Sequence, residues 1–319
     1  MKVIDAQMVY RLLGFESCIG LVREAMIALS SGKTQDIPRQ IIPGGSGLFG
    51  IMAGAIPETF GAKLISVRPP APGHSMPSHQ GLVILFDPHS GAPMSAVDAG
   101  AITAIRTAAA SAVATAALAR PDARTLAILG SGEQARAHAA AIPLVRSVAT
   151  IRLWGRDFAK VSRLAADVER EHGIACRALE AIGDAVRGAD IICTTTAAPD
   201  PILFHDQVAP GAHINVVGSS RAGPAEIDSD LVARSRYFAD CRANVLQQGA
   251  EFIRAREEGL VTDAHILAEI GEVLSGAHEG RVSRGELTLY KSLGHIVQDL
   301  VSARYVSLGA QRQQESDIS

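Results

Sequence analysis

The stretch TLAILGSGEQA, residues 125–135, decides the fold. A short apolar run ends in a glycine-serine-glycine turn, and a helical pattern follows from Glu133. Gly130 permits a sharp turn, Gly132 lets the backbone approach a ligand closely, and small Ala135 lets the helix lie close to the strand. The N–H groups at the start of such a helix bind phosphate. This order of strand, G-x-G-x-x-A turn and helix predicts a dinucleotide-binding unit.

Composition indicates a packed protein of two domains. The 319 residues exceed the usual size of one hydrophobic core, and 47% hydrophobic with 20% charged residues is typical of a folded α/β protein. The net charge of −3 gives no reason to expect nucleic acid or an anionic membrane as a partner. We predict no secretory signal and no membrane-spanning run of about 18 apolar residues.

The four cysteines, at positions 18, 176, 193 and 241, lack the spacing of metal ligands. In a chain of this size we interpret them as reduced, mostly buried thiols. The histidines do not cluster either. We therefore expect a cytoplasmic protein without a bound metal.

Strand and helix patterns alternate after residue 120, which predicts a parallel sheet with helices on both faces. Before it, residues 37–98 contain short apolar runs broken by glycine and proline, including two strands joined by a turn at residues 87–91. Helices are predicted over residues 5–31, 99–118 and 290–305.

The end of the second strand of the nucleotide-binding unit indicates which dinucleotide binds. An acid there binds the ribose 2′-hydroxyl of NAD, whereas a basic residue accommodates the 2′-phosphate of NADP. The strand IRLW leads into Gly155, Arg156 and Asp157. We therefore predict NADP(H) as the preferred cofactor, bound by Arg156, with NAD(H) as the alternative. In the competing interpretation Arg156 is only solvated and Asp157 caps the next helix.

Three cations lie in apolar surroundings of the first domain: Arg39, Lys63 and Arg106. Arg106 interrupts an alanine-rich helix with no acidic residue within one turn, and a buried unpaired guanidinium is costly. A carboxylate ligand resolves that cost because arginine binds it through two parallel hydrogen bonds. Lys63 lies in a run of alternating polarity, so it points either inward or to solvent. Each cation alone is more typical of a surface residue, but together they indicate a carboxylate-binding pocket.

These stretches also carry a resemblance that covers nearly the whole chain. The sequence resembles the ornithine cyclodeaminase/μ-crystallin family. The matching segments are PSHQGLVILFDPHSGAP (77–93), ITAIRTAAASAVAT (102–115), AILGSGEQA (127–135), ADIICTTTAAPDPIL (189–203), PGAHINVVGSSR (210–221) and YKSLGHIVQDL (290–300).

The resemblance implies an α/β protein with a Rossmann-type parallel-sheet domain at residues 120–290. Residues 1–119 with 291–319 then form an α+β domain for substrate binding and dimerisation, and the protein is a homodimer.

The resemblance also implies roles for single residues. Arg39, Lys63 and Arg106 bind the substrate carboxylate, and His79 is a further pocket candidate whose alternative role is structural hydrogen bonding. The implied cofactor-binding residues are Thr107 near the phosphates; Gly130, Ser131, Gly132, Glu133, Gln134 and Ala135 in the turn; Arg156; Thr194 and Thr195 beside the cofactor; Val217 and Gly218 at the nicotinamide; and Lys291 and Ser292 in the closing helix.

Ser220 marks the branch of the family. Cyclodeaminases and related alanine dehydrogenases have an aspartate at this position, where it is assigned to proton transfer. A serine hydroxyl is no general base near neutral pH without a partner. Another interpretation of the Ser219–Ser220 pair is a helix cap. The sequence GSSR resembles the μ-crystallin branch, whose members reduce cyclic ketimines.

The sequence thus predicts NAD(P)H-dependent reduction of a cyclic ketimine carboxylate, Δ1-pyrroline-2-carboxylate to L-proline or Δ1-piperideine-2-carboxylate to L-pipecolate. Lys63 and Ser220 are the catalytic candidates, with Lys63 as proton donor. One alternative is an ornithine cyclodeaminase or an alanine dehydrogenase-like enzyme. A second is a low-turnover protein that uses NADP(H) to bind a small carboxylate or a hormone-like ligand.

Overall fold

The computed structural model describes residues 1–45, 47–68 and 79–318, and the side chains of His79 and of residues 316–318 lie outside this description. The chain forms two compact units. Unit 1 comprises Met1–Arg106 and His295–Ser319, and unit 2 comprises Thr107–Gly294. The first division falls inside a helix, whereas the sequence placed a domain boundary near residue 119.

Unit 1 is built on a mixed sheet in the order β1-β7-β6-β5-β4-β2, with β3 paired to β4. The β1–β7 pair is parallel and the other pairs are antiparallel. The strands are β1 Lys2–Ile4, β2 Gln35–Asp36, β3 Gln40–Gly44, β4 Gly47–Ile56, β5 Thr59–Val67, β6 His79–Phe86 and β7 Pro93–Asp98. The helices are α1 Ala6–Leu12, α2 Phe15–Ser30, the first part of α3 Ala99–Leu118, and α11 Ile296–Ile318.

One face of this sheet is covered by α11, which packs on β4, β5 and β6. Because side chains alternate across a strand, Lys63 and Ile65 of β5 are buried, while their neighbours Ala62 and Leu64 are half-buried on the other face. The alternation in the sequence left two directions open for Lys63, and the structure selects the inward one.

Unit 2 is a doubly wound parallel sheet of eight strands in the order β10-β9-β8-β11-β12-β15-β13-β14. The strands are β8 Thr125–Leu129, β9 Thr150–Trp154, β10 Ala175–Ala178, β11 Ile191–Thr194, β12 His213–Val216, β13 Ser235–Ala239, β14 Ile266–Glu269 and β15 Leu287–Lys291. The helices are α4 Glu133–Ala141, α5 Phe158–His172, α6 Ile182–Val186, α7 Ser229–Arg234, α8 Arg242–Gln248, α9 Ala250–Glu257 and α10 Ile270–Leu274.

The strand order reverses between β8 and β11, which are neighbours in the sheet although two strands separate them in the sequence. Ligands of such sheets bind outside the carboxyl ends of the strands at this switch point. The sheet therefore confirms the predicted Rossmann-type fold. The predicted helix from Glu133, the helix over residues 99–118 and the hairpin around residues 87–91 are also confirmed.

Two predicted helices are wrong in extent. The run at residues 5–31 is interrupted at Leu13, whose ψ of 90° is not helical, and Gly14 starts a second helix in an extended conformation. The last helix starts at Ile296 and not near residue 290, because residues 287–291 form a fully buried strand. A short apolar run inside a parallel sheet has no periodicity that separates it from a buried helix.

By length and composition alone, α3 is apolar enough to cross a membrane. The protein itself buries 83% of the apolar window of this helix. All four cysteines are free thiols, and three of them are buried.

Candidate functional site

The glycine turn lies at the switch point of unit 2. Gly130 has a φ of 145°, and its N–H donates to the Trp154 carbonyl at 2.7 Å. A Cβ at this position would collide with Thr195. Both the conformation and the close contact therefore require glycine at residue 130.

Gly132, unlike Gly130, has neither a conformation nor a close contact that requires glycine. Its φ of −96° is open to any residue, and a Cβ there would meet no described atom within 4 Å. It is the N-cap of α4 and gives the helix no side-chain cap. Packing in the protein does not demand a glycine here, and the open space leaves the uncapped helix N–H groups accessible to an anion. The turn fits the pyrophosphate of a dinucleotide.

The other residues of the turn surround this point. Gly132 and Glu133 are exposed, Ser131 and Gln134 are half-buried, and Ala135 is fully buried under the helix. The small residue predicted at position 135 is thus buried. A Cβ built at Gly155 would lie 3.1 Å from the Cβ of Ser131, so the turn adjoins the end of β9.

Arg156 follows directly after that point and is exposed. Asp157 is the N-cap of α5 and accepts a hydrogen bond from the Lys160 backbone N–H at 3.0 Å. Its carboxylate is therefore engaged by the helix. Arg156 lies next to the glycine turn with its charged group at the surface.

The loops after β11 and β12 meet at a buried carboxylate that the sequence analysis missed. Glu226 accepts hydrogen bonds from the Thr194 hydroxyl at 2.7 Å, the Thr196 backbone N–H at 2.6 Å and its hydroxyl at 2.7 Å. It also accepts the Gly218 N–H at 2.6 Å. Burial raises its pKa, and these hydrogen bonds oppose that effect. One carboxylate thus holds two of the predicted cofactor-binding residues, Thr194 and Gly218.

The neighbouring residues follow the same two strand ends. Thr195 donates its hydroxyl to the Leu129 carbonyl at 3.1 Å, which ties its loop to the end of β8. Val217 is buried directly after β12, and Ser220 is exposed further along the loop. A Cβ at Gly218 would collide with Thr196 and Glu226, so this close approach also requires glycine.

The prediction that Lys291 and Ser292 lie in the closing helix is wrong. Lys291 is the last residue of β15 and is completely buried, and Ser292 follows it. The Lys291 ammonium lies 2.9 Å from a Glu251 carboxylate oxygen and donates to the Ser219 carbonyl at 2.6 Å. Lys291 therefore fixes the loop that carries Ser219 and Ser220.

Unit 1 holds a second cluster, around Asp299 of α11. Its Oδ1 accepts hydrogen bonds from the Lys63 ammonium at 2.9 Å and from Arg106 Nε at 3.0 Å. Arg106 Nη1 donates to Gln298 Oε1 at 3.0 Å, and Lys63 donates to the Thr103 hydroxyl at 2.6 Å. The acidic partner that Arg106 lacks within its own helix is thus 193 residues away in sequence.

The charges of this cluster perturb one another. Burial lowers the pKa of Lys63 to about 8, against the attraction of Asp299 and with the repulsion of Arg106 and Arg39. Burial alone would raise the pKa of Asp299, but the charges of Arg106 and Lys63 hold it below its usual range. The half-buried Arg39 lies close enough to act on Lys63. The structure thus places Lys63 and Arg106 on one anion that the sequence did not reveal, with Arg39 acting on Lys63.

The structure says less about two predicted site residues, His79 and Thr107. The backbone of His79 begins β6, but its side chain lies outside the described residues. Thr107 is buried in α3, directly after Arg106. Among the described residues, no group of three or more His, Cys, Asp and Glu side chains is arranged to hold a metal ion.

Asp299, Gln298 and Glu226 are the residues that sequence reasoning missed. Asp299 and Gln298 lie in the quoted segment YKSLGHIVQDL, where their polarity in an otherwise apolar helix face was the available signal. Glu226 follows Ser220 by six positions in a polar loop, and no local pattern distinguishes it from a solvated glutamate.

Known proteins share this architecture. The mouse ketimine reductase mu-crystallin is 37% identical over 262 residues, covering 82% of this chain and 80% of the relative. A Bacillus cereus Δ1-pyrroline-2-carboxylate reductase is 34% identical over 250 residues, covering 78% and 77%. The Thermococcus litoralis Δ1-pyrroline-2-carboxylate reductase, solved with NADH and L-proline, superposes with a TM-score of 0.95 at 29% identity and 98% coverage of both chains.

The family model gives the same assignment over most of the sequence. Residues 2–313 match the ornithine cyclodeaminase/mu-crystallin family model, a span that includes both the glycine turn and the Asp299 cluster. The relatives and the solved structure agree with it over most of their own lengths. This chain belongs to the ornithine cyclodeaminase/mu-crystallin family.

Proposed function

We propose that this protein is a nicotinamide-dependent reductase of cyclic ketimine carboxylates, acting on Δ1-pyrroline-2-carboxylate, Δ1-piperideine-2-carboxylate or both. The observation that carries the proposal is the buried cluster in which Lys63 and Arg106 share one oxygen of Asp299. Two cations against one anion leave a net positive charge that attracts a carboxylate. The names of the mouse and Bacillus cereus relatives support the same reaction.

The substrate carboxylate binds to the guanidinium of Arg106, with Arg39 as a second cation. Asp299 and Gln298 occupy Nε and Nη1 of Arg106. The Nη2 group makes no hydrogen bond to any residue the structure describes, and it is the part of the fork that remains for a carboxylate oxygen.

A dinucleotide held at the glycine turn would supply, when bound, the hydride that the carbon of the C=N bond must gain. The ring nitrogen must gain one proton in the same turnover, and Lys63 donates it. Because the pKa of Lys63 is lowered only to about 8, the ammonium form predominates at neutral pH. Ser220 contributes a hydroxyl where an aspartate would be needed as a base for deamination. This chemistry favours reduction over cyclodeamination.

For the dinucleotide itself we propose NADP(H), with Arg156 on the 2′-phosphate. Asp157 caps α5 and is therefore not the acid that would bind a 2′-hydroxyl. Arg156 is exposed beside the glycine turn. Arg156→Ala should raise the KM for NADPH and leave the KM for NADH nearly constant, whereas Arg170→Ala at the other end of α5 should change neither. A constant ratio in the Arg156 variant would remove this assignment.

We also propose a homodimer formed through the face of the unit 1 sheet opposite α11. Across β5 and β6 this face pairs Leu64 with Leu82 and Phe60 with Phe86. The Phe60 and Phe86 rings stack at 5.3 Å, and Phe60 and Leu82 remain 38% and 40% exposed. A contiguous apolar patch of this kind marks an interaction surface.

Light scattering tests the dimer. The native protein should have about twice the chain mass of 33.4 kDa. Leu82→Lys combined with Leu64→Lys should halve the mass, whereas Leu144→Lys at an exposed leucine of unit 2 should not. A monomeric native protein, or dissociation by the Leu144 variant alone, would refute this surface.

The decisive experiment for the reaction is NADPH oxidation with Δ1-pyrroline-2-carboxylate and Δ1-piperideine-2-carboxylate in parallel. Pyruvate with ammonia or methylamine serves as the acyclic control, and Lys63→Met as the inactive variant. We expect turnover with one or both cyclic imines and little with the controls. Ammonia release from ornithine without net NADPH change would instead indicate a cyclodeaminase, and tight ligand binding without NADPH consumption a binding protein.

A further inference from the structure

Asp299 is a buried carboxylate in the interior of unit 1. It is completely buried on α11, and its Oδ1 accepts hydrogen bonds from Lys63 of β5 and Arg106 of α3. One carboxylate oxygen thus connects three secondary structure elements. Its other oxygen, Oδ2, is buried and makes no hydrogen bond within the described ranges of the chain. The hydrogen bonds of Asp299 to the described residues are therefore all made by Oδ1, and they go to the two cations.

Asp299 accepts a hydrogen bond from only one donor group of Lys63 and one of Arg106. It occupies one of the three ammonium hydrogens of Lys63, and Thr103 occupies a second. On Arg106 it takes Nε, the inner nitrogen, and Gln298 takes Nη1. Each cation is therefore held from one side, and each retains donors for a ligand.

The charges around Lys63 also influence whether its side chain is protonated. The ionised groups that act on Lys63 are Asp299, Arg106 and Arg39. From α2, Cys18 faces Arg106 and Asp299, and burial raises its pKa to about 12, so that thiol stays neutral. Asp299 is thus the one anion against three cations in this set. Without it, the repulsion of two arginines and the burial of the ammonium would both favour neutral Lys63.

We propose that Asp299 is a positioning residue for ketimine reduction: it aligns Lys63 and Arg106 and keeps Lys63 in the protonated form that donates to the substrate nitrogen. It acts through these two side chains and needs no contact with the substrate. Because one carboxylate cannot neutralise three cations, the cluster still attracts the substrate carboxylate. The inference rests on the proposed function only in taking Lys63 as the proton donor.

The test is the pH dependence of kcat/KM in Asp299→Asn. In the native enzyme, activity should decline as the pH rises through about 8, the pKa of Lys63. Loss of the negative charge lowers that pKa, so the decline in Asp299→Asn should begin about one pH unit lower or more. Asp299→Ser, a second neutral variant with space for water, must give a shift of the same sign. Asp299→Glu, which retains the charge, should keep the native profile.

Ser302→Ala is the matched control. Ser302 is buried one turn further along α11, contacts Cys18 at 3.6 Å and makes no hydrogen bond to Lys63. This variant should lose some thermal stability and keep the native pH profile. If the neutral Asp299 variants lose stability but keep the native pH profile, the residue is merely structural and the proposal is wrong. A native enzyme without imine reduction would overturn the proposed function instead, so the two failures are distinguishable.

Discussion

The Glu226 carboxylate accepts the backbone N–H of Gly218 at 2.6 Å, and this contact joins a buried negative charge to the loop predicted to border the nicotinamide. The same carboxylate holds Thr194 and Thr196 at the end of the neighbouring strand. The geometry of two loops therefore depends on one side chain.

Glu226→Gln should weaken cofactor binding and lower stability. An amide presents one acceptor oxygen and one NH2 group, so it would direct a donor at a backbone N–H or a hydroxyl. A buried donor left without a partner costs about 1–3 kcal/mol. We expect a lower melting temperature and a higher Kd for NADPH by fluorescence titration. Glu171→Gln, which affects only an exposed ion pair with Arg136, should change neither quantity. Native affinity in Glu226→Gln would contradict this role.

The two glycines of the turn should respond differently to alanine. Gly132→Ala adds a methyl group that meets no described protein atom within 4 Å, so the melting temperature should stay constant while the Kd for NADPH rises about tenfold or more. Gly130→Ala forces an alanine into a φ of 145° and against Thr195, so it should lose stability and binding together. Unchanged affinity in Gly132→Ala would show that no phosphate approaches this residue.

Substrate binding should depend on the planar guanidinium of Arg106 and not only on its positive charge. Arg106→Ala removes a charge-assisted contact worth roughly 1.5–3 kcal/mol, which corresponds to about a 10- to 150-fold loss of kcat/KM. Arg106→Lys keeps the charge but cannot reproduce contacts with Asp299, Gln298 and a substrate oxygen, so KM should rise well above the native value. Steady-state kinetics measures both, with exposed Arg23→Ala as the control. A lysine variant with native KM would argue against carboxylate binding here.

Acid should destabilise unit 2 through two buried histidines. Burial lowers the pKa of His138 to about 4 and, with repulsion from Arg281, that of His213 to about 3. Below the ordinary value of about 6.5, the unfolded chain binds protons that the folded chain does not. The free energy of unfolding should therefore fall as the pH drops from about 6.5 towards 4, by up to ~1.4 kcal/mol per pH unit and histidine.

Urea denaturation at several pH values measures this dependence. His138→Gln and His213→Gln should each flatten it, whereas His172→Gln, at an exposed position, should leave it intact. An equal effect of all three variants would mean that the buried histidines are not its source.

Local patterns predicted the nucleotide-binding unit well because its signals are short in range. The glycine turn, the strand before it and the helix after it are adjacent in sequence, so residues 125–135 contain the whole motif. The inward direction of Lys63 was not predictable, because a strand of alternating polarity has two faces and only the packing of α11 selects one. Tyr290 and Lys291 were predicted as the start of the last helix, although they end a strand that is buried on both faces.

The electrostatics of the candidate site were less accessible than its cations. Arg39, Lys63 and Arg106 stand out because cations in apolar stretches are unusual. Their counter-ion does not, since Asp299 is 193 residues from Arg106 and no periodicity links the two. Glu226 was missed for the same reason, because its partners are the ends of two separate strands.

The insertion of β15 between β12 and β13 has a consequence for biosynthesis. The two flanking strands do not pair with each other, so a nascent chain that stops before Leu287 leaves β13 and β14 detached from the rest of their sheet. α11, which brings Asp299 to the cations of unit 1, is synthesised later still. Each unit therefore closes only after residues 287–318 have been synthesised. A chain terminated upstream of Leu287 should therefore contain two separate parts of the unit 2 sheet instead of one complete sheet.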